Sequence, residues 1–154
     1  MPNARKAGLA ASAAIIAISV LCAAPGAFAR APDGLALTGQ WFRFIMASLP
    51  AAGYFTLANA GAAPQTLVGA SSPACGTLML HKSVTQNGTE RMVMVRQVAV
   101  PAHGALRFAP GGYHLMCMSP ARAMRPGNMV PVILRFAGGA TMTANFPVRN
   151  ATGK

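Results

Sequence analysis

Short runs of apolar and β-branched residues, separated by turn residues, make up the chain from residue 37 onward. No stretch sustains helical spacing of its apolar residues, whereas Gly, Pro and Asn turn signals recur every few residues. Many short strands at regular spacing are typical of an all-β sandwich or barrel. The pattern predicts strands at residues 41–46, 53–59, 66–70, 76–84, 92–98, 105–108, 113–118, 129–136 and 141–148.

The strongest hairpin signal in the chain is the dipeptide Asn87-Gly88. This pair favours a two-residue turn whose twist matches that of the flanking strands. The strands on either side therefore lie next to each other, and we expect His81 and Met92 to be neighbours in space.

The first 29 residues have the features of a secretory signal peptide. Arg5 and Lys6 precede an apolar and small-residue stretch at 9–21, and Ala-Phe-Ala at 27–29 is a cleavage site of the A-x-A type. We predict cleavage after Ala29 and a periplasmic location. The alternative is an uncleaved N-terminal anchor.

The remaining chain has the length of one domain with a hydrophobic core. We predict a flexible leader at 30–36, a β-sandwich domain at 37–149 and a short tail at 150–154. No later segment is apolar enough over sufficient length to be a transmembrane segment.

The chain is strongly basic, with 13 Lys and Arg against 2 acidic residues and a formal charge of +11. Without the signal peptide the charge is about +9, which favours anionic partners such as an acidic protein or a lipid surface. The basic residues stand singly and no nucleic-acid-binding motif is present, so we expect no nucleic acid partner. The two acidic residues, Asp33 and Glu90, are a poor pair for acid–base chemistry, and we predict that the protein is not an enzyme.

Residues 113–118, Tyr-His-Leu-Met-Cys-Met, carry the candidate chemistry. Alternate side chains of a strand share a face, so His114, Met116 and Met118 point one way and Cys117 the other. Imidazole and thioether groups are ligands that suit Cu(I). Together with His81 and Met92, two of these residues complete a four-coordinate metal site of two histidines and two methionines.

The spacing of these four residues resembles the signature of the periplasmic copper chaperones of the PCu(A)C family. That signature is His, ten residues, Met, twenty-one residues, then His-x-Met, and His81, Met92, His114 and Met116 match it without adjustment. The resemblance covers roughly residues 53–148 and includes the segments that surround the four positions.

The resemblance implies a cupredoxin-like Greek-key β-sandwich with a surface Cu(I) site at His81, Met92, His114 and Met116. It also implies delivery of copper to an acceptor, such as the CuA subunit of cytochrome oxidase or another copper chaperone, by a monomeric protein. The sequence departs from the family where acidic residues usually flank the first histidine, because Leu80 and Lys82 stand there. This leaves the partner open, since charge on a docking surface influences partner choice.

Other readings remain open. Met94 and Met118 are either alternative ligands or packing residues, and Cys75 and Cys117 either form a disulfide or leave Cys117 a buried thiol. A blue-copper site is disfavoured because its thiolate would have to come from Cys117 on the opposite face. A cationic exported binding module, or a copper-buffering protein without specific delivery, is the alternative function.

Overall fold

The computed structural model describes residues 31–154, which form ten strands and one short 3-10 turn at Ala137–Gly139. The predicted signal peptide lies outside the described residues. Within residues 31–154 no helix is long and apolar enough to span a membrane. The strands are β1 (Leu35–Arg43), β2 (Ala51–Asn59), β3 (Gln65–Ser71), β4 (Cys75–Gln86), β5 (Thr89–Met94), β6 (Val98–Val100), β7 (Gly104–Phe108), β8 (Tyr113–Pro120), β9 (Met129–Phe136) and β10 (Thr141–Arg149).

The strands pair in the order β5-β4-β8-β7-β2-β1-β10-β9-β3-β6, with a further pairing of β8 to β2. Neighbours such as β4 and β8, or the parallel strands β1 and β10, are far apart in the sequence. Pairing between strands that are distant in the sequence is typical of Greek-key sandwiches. The predicted all-β fold class is confirmed.

The inward faces of the strands build one aromatic and aliphatic core. In β9 every second residue is buried, which is the pattern of a strand with one face on the core. The rings of Phe55 and Phe108 stack at a centroid distance of 4.2 Å, and Phe146 meets Phe55 edge-on at 5.9 Å. Full burial of one such side chain contributes about 1.5–3 kcal/mol.

The first strand differs from its prediction. It begins at Leu35, inside the segment assigned to the leader, and ends at Arg43 instead of residue 46. Leu35 and Leu37 pack against the core, but a register shift between Thr38 and Trp41 interrupts the alternation. An irregularity of this kind displaces the two-residue period, which is why the sequence pattern predicted only the last residues of this strand.

The strand predicted at 92–98 is divided in two. β5 ends at Met94, where the backbone nitrogen of Val95 donates to the carbonyl oxygen of Leu80. β6 then begins at Val98 and pairs with β3. Arg96 and Gln97 interrupt the apolar run here, but neither is a typical turn residue, so the pattern did not predict that the chain changes its pairing partner between these residues.

The hairpin of β4 and β5 forms as predicted. Gln86 pairs with Thr89, which leaves Asn87 and Gly88 as the two turn residues. Their φ angles of 52° and 74° are those of a type I′ turn. The hairpin therefore places β5 along one side of β4, while β8 pairs with the other side.

Candidate metal centre

The candidate site lies on the outward face of three adjacent strands, β5, β4 and β8. His81 in β4 stands directly opposite His114 in β8 and, on its other side, directly opposite Met94 in β5. Residues paired in this way lie on the same face of a sheet. The three side chains therefore form a row across the face.

The two predicted methionine ligands, Met92 and Met116, lie in the cross-strand rows on either side of the histidine row. Met116 in β8 is opposite Met79 in β4, and Met92 in β5 is opposite Ser83 in β4. Met92 is thus one row removed from His81, in the direction of the hairpin turn. All four residues predicted as ligands are on one face of these strands, as the spacing predicted.

The two histidine rings meet edge-on, with their centroids 5.9 Å apart. Nδ1 of His114 lies 3.1 Å from the carbonyl oxygen of Gly112. Because that carbonyl can only accept, Nδ1 carries the proton and donates it, and Nε2 is left with a free lone pair. A hydrogen bond on one ring nitrogen commonly orients a histidine whose other nitrogen binds a metal.

Two imidazole nitrogens of the site are buried without a hydrogen-bond partner. They are Nδ1 of His81 and Nε2 of His114, and within residues 31–154 they are the buried side-chain nitrogen and oxygen atoms in that condition. A buried ring nitrogen without a partner is costly and calls for an explanation, such as a bound ion. A metal ion bound by both rings would give each of these two nitrogens a partner.

The electrostatic surroundings keep His81 neutral. Burial, and secondarily the charge of His114, lowers the pKa of His81 from its ordinary value of 6.5. A neutral imidazole is the form that binds a metal ion. The site is therefore ready to bind a metal at neutral pH without losing a proton from His81.

A cavity of about 460 Å³ opens beside His114. Met92, His114 and Met116 line it, together with residues of the loop between β1 and β2, among them Ile45 and Leu49. Three of the four predicted ligands thus share one cavity, and His81 joins them through its contact with His114. A metal ion held here is accessible from the surface.

The donor set selects a soft metal. Nowhere in residues 31–154 do three or more His, Cys, Asp or Glu side chains group so that they could hold a metal ion. The two histidines supply only two ligands. A metal site on this face with more than two protein ligands therefore has to include thioether sulfurs, which favour Cu(I) over harder ions.

The cysteines are not available as ligands. Cys117 is fully buried and forms a disulfide with Cys75, with 5.3 Å between their Cα atoms. Of the two alternatives left open for these residues, a disulfide or a buried free thiol at Cys117, the structure has the disulfide. A disulfide sulfur cannot act as the thiolate of a blue-copper site, which counts further against that disfavoured alternative.

Met79 was not among the predicted ligands, and the structure places it on the same face as they are. It lies two residues before His81, so it shares the outward face of β4, and it stands directly opposite Met116. The two-residue offset from His81 was the signal that could have identified it. Met118, by contrast, is opposite Thr77 at the far end of the same face.

Comparisons with known proteins agree with this arrangement. The family described as "Putative lipoprotein LpqE-like" matches residues 35–148. A relative from Leifsonia xyli subsp. xyli, named "Putative lipoprotein Lxx21020", is 34% identical over 122 residues, which is 79% of this chain and 73% of the relative.

Solved structures of PCuAC domains share the fold. The copper-bound PCuAC domain from PmoF2 matches with a TM-score of 0.63 at 18% identity, over 76% of this chain and 93% of that domain. The Cu(I)-bound protein DR1885 from Deinococcus radiodurans matches with a TM-score of 0.57 at 30% identity, over 76% of this chain and 80% of that protein. The predicted resemblance to PCu(A)C proteins is confirmed at the level of the fold.

Proposed function

The chain belongs to the LpqE-like family, and from this premise and the geometry of its site we propose that it is a copper chaperone that carries one Cu(I) ion. The observation that carries the proposal is the pair of buried, unpartnered imidazole nitrogens on His81 and His114, beside a methionine-lined cavity. Two structural relatives that were solved with copper bound support the choice of metal.

Four neutral ligands would bind the ion. They are Nδ1 of His81, Nε2 of His114 and the thioether sulfurs of Met92 and Met116. Thioethers do not form disulfides, so they remain available in an oxidising compartment where thiolates would be lost. The ligand set thus suits a protein that carries Cu(I) outside the cytoplasm.

Release would occur by ligand exchange. Met92 is 59% exposed, whereas His114 is buried, so Met92 is the ligand that an incoming group on an acceptor can displace with least disturbance of the protein. His114 and Met116 would hold the ion until the acceptor has supplied its own ligands. This order requires the acceptor to approach from the cavity side.

We propose that the acceptor is an exported or membrane protein that requires copper, such as the CuA subunit of cytochrome oxidase or another copper chaperone. In this role the protein acts in the periplasm as a monomer, binds no nucleic acid and catalyses no reaction. Assembly of cytochrome oxidase would be the process that it serves.

Competition for Cu(I) between the purified protein and a chromogenic chelator tests the site. We expect one tight equivalent in the wild type, and a loss of affinity of at least about 100-fold in His114→Ala and Met116→Ala, because each removes a ligand. Met129→Ala is the matched control, since Met129 has the same 59% exposure as Met92 but lies on β9.

Equal binding by the wild type and both ligand variants would contradict the proposal. The alternative of a cationic binding module would then be favoured if the protein bound anionic vesicles or acidic proteins without metal and released them as salt was raised.

A further inference from the structure

The cavity beside His114 has exposed apolar side chains in its lining. Ile45 and Leu49 belong to the loop between β1 and β2, and Met92 belongs to β5; all three line the cavity and all three are exposed. We call these three residues the apolar rim. Large apolar side chains grouped on a surface commonly mark a site of contact with another protein.

The loop that carries Ile45 and Leu49 is anchored to the rest of the domain. The backbone nitrogen of Phe44 donates to the carbonyl oxygen of Arg149, and the Phe44 side chain packs against the core. The backbone nitrogen of Leu49 donates to the carbonyl oxygen of Met46, which closes a turn. Ile45 and Leu49 are not part of the core, so the anchored loop presents them outward. A contact made by a segment already held in place costs less conformational entropy.

Arg43 provides a positive charge beside the apolar rim. It also lines the cavity, and its guanidinium carbon lies 5.9 Å from the centroid of the Tyr54 ring. Burial, partly offset by the charge of Arg43, raises the pKa of Tyr54 from its ordinary value of 10.0, so this ring is uncharged at neutral pH. The lining also contains Glu90, which is exposed and lies next to the first residue of β5. A carboxylate on an incoming protein can pair with Arg43.

We propose that the copper acceptor docks on the apolar rim through an apolar face around its own metal site, with a carboxylate at the edge of that face paired to Arg43. The inference rests on the proposed function, because the rim borders the cavity that the proposed ligands line. Met92 is both a rim residue and a proposed ligand, so docking at the rim brings the acceptor's ligands to the side chain that they displace.

The charge of the whole chain favours the same occupant. With 13 basic and 2 acidic residues, the chain attracts a partner whose surface is acidic. A second copy of the chain is a poor occupant, because both copies would carry the same strong positive charge and repel each other.

Stopped-flow transfer of Cu(I) from the loaded protein to an apo CuA domain with an acidic surface tests the docking surface. At domain concentrations below saturation, Ile45→Ser/Leu49→Ser should slow transfer at least about 10-fold, because the apolar contact is lost. The Cu(I) affinity of this variant, measured by chelator competition, should equal that of the wild type, since neither residue is a proposed ligand.

Val68→Ser/Ile133→Ser is the matched control for the apolar rim. These side chains are 40% and 37% exposed, against 49% and 43% for Ile45 and Leu49, but they lie on β3 and β9 and do not line the cavity. The control should transfer Cu(I) at the wild-type rate, and circular dichroism checks the fold of each variant.

Arg43→Gln tests the charged contact. It should slow transfer to the acidic domain and make the rate less dependent on salt, whereas Arg125→Gln removes the same charge from an exposed position outside the cavity lining and should have a smaller effect on both. Equal effects of the two substitutions would overturn the pairing at Arg43.

Methyl NMR of the wild type gives a second measurement that does not depend on the folding of a variant. The signals of Ile45 and Leu49 should shift when the CuA domain is added, and those of Val68 and Ile133 should not. Unshifted rim signals, or equal transfer by the wild type and Ile45→Ser/Leu49→Ser, would overturn the docking surface. Dimerisation that Ile45→Ser/Leu49→Ser abolishes would assign the rim to contact between copies instead.

The two proposals fail in different ways. A wild type that binds Cu(I) tightly but transfers it independently of the rim would contradict only the docking surface. A wild type without a tight Cu(I) equivalent in chelator competition would count against the proposed function.

Discussion

At the scale of single residues, the proposed site depends on the orientation of the His114 ring and on the neutral state of His81. The carbonyl oxygen of Gly112 holds the Nδ1 proton of His114 and so directs its free Nε2 lone pair into the site. His81 is kept neutral by its burial. Both nitrogens are desolvated before any metal arrives, and the protein bears the cost of their unmade hydrogen bonds.

The lowered pKa of His81 is testable in the metal-free protein. We expect its imidazole to titrate below 6.5 in an NMR pH titration, and His114→Gln to raise that pKa only partway, because burial is the larger cause and the charge of His114 the smaller. A pKa of 6.5 or above in the wild type would contradict this.

The sign of the effect on stability follows from the same shift. Below pH 6.5 the unfolded chain binds a proton at His81 before the folded protein does. The stability of the metal-free protein should therefore decrease as the pH falls from 6.5 to the lowered pKa, and this contribution should be constant above pH 6.5. Urea unfolding at several pH values measures it, with His81→Gln as the control that removes it.

At the scale of strands, the site depends on the position of β4 between β5 and β8. The two-residue turn at Asn87-Gly88 aligns β5, and backbone pairing from Cys75 to Lys82 aligns β8. The disulfide joins the first residue of β4 to Cys117 in β8. It therefore links the same two strands that carry the histidines, and its Cys117 end is buried in the core.

Removal of the disulfide separates its structural role from copper binding. We expect Cys75→Ala/Cys117→Ala to lower the free energy of unfolding by about 4 kcal/mol, given the 42-residue separation of the cysteines. The Cu(I) affinity of the folded variant should be unchanged because neither sulfur is a ligand. Urea unfolding and chelator competition measure the two effects, and Cys75→Ala alone shows whether the free Cys117 matters. A loss of Cu(I) affinity without unfolding would assign a sulfur to the site.

At the scale of the whole molecule, the excess of basic residues determines how partners approach. The formal charge of the complete chain is +11, and Arg43 lines the metal cavity itself. Positive charge accelerates association with negatively charged partners, and this acceleration decreases as the salt concentration increases. The charge therefore favours an acidic acceptor.

Copper transfer to an acidic acceptor should depend on salt. Stopped-flow transfer of Cu(I) to an apo CuA domain with an acidic surface should slow at least about 10-fold between 0.02 M and 0.5 M salt, because screening weakens steering. The Cu(I) affinity measured with a small chelator should change little, since the ligands are neutral. A transfer rate that does not change with salt would show that the charge has another role.

The sequence predictions were accurate where neighbouring residues determine the structure. They were inaccurate where the structure depends on residues that are far apart in the chain. β9 was predicted with its observed bounds because a run of mostly apolar residues lies between the turn residues at Pro126-Gly127 and Gly138-Gly139, and the β4–β5 hairpin was predicted because Asn-Gly specifies its own turn. β1 was misplaced because an irregularity after Thr38 breaks the alternation. The position of Met79 opposite Met116 was not predicted, because it depends on the register between β4 and β8, which are far apart in the sequence.

The sequence by itself determined the local chemistry of this protein: its strands and turns, the residue types of the candidate site and their spacing. These depend on alternation, on turn conformation and on ligand softness, all of which short segments carry. Only the tertiary structure decided that Met94 and not Met92 stands opposite His81, that Cys75 bonds to Cys117, and that two imidazole nitrogens are buried without partners. Register, bridging distance and burial depend on chain segments that are distant in the sequence, so no short pattern contains them.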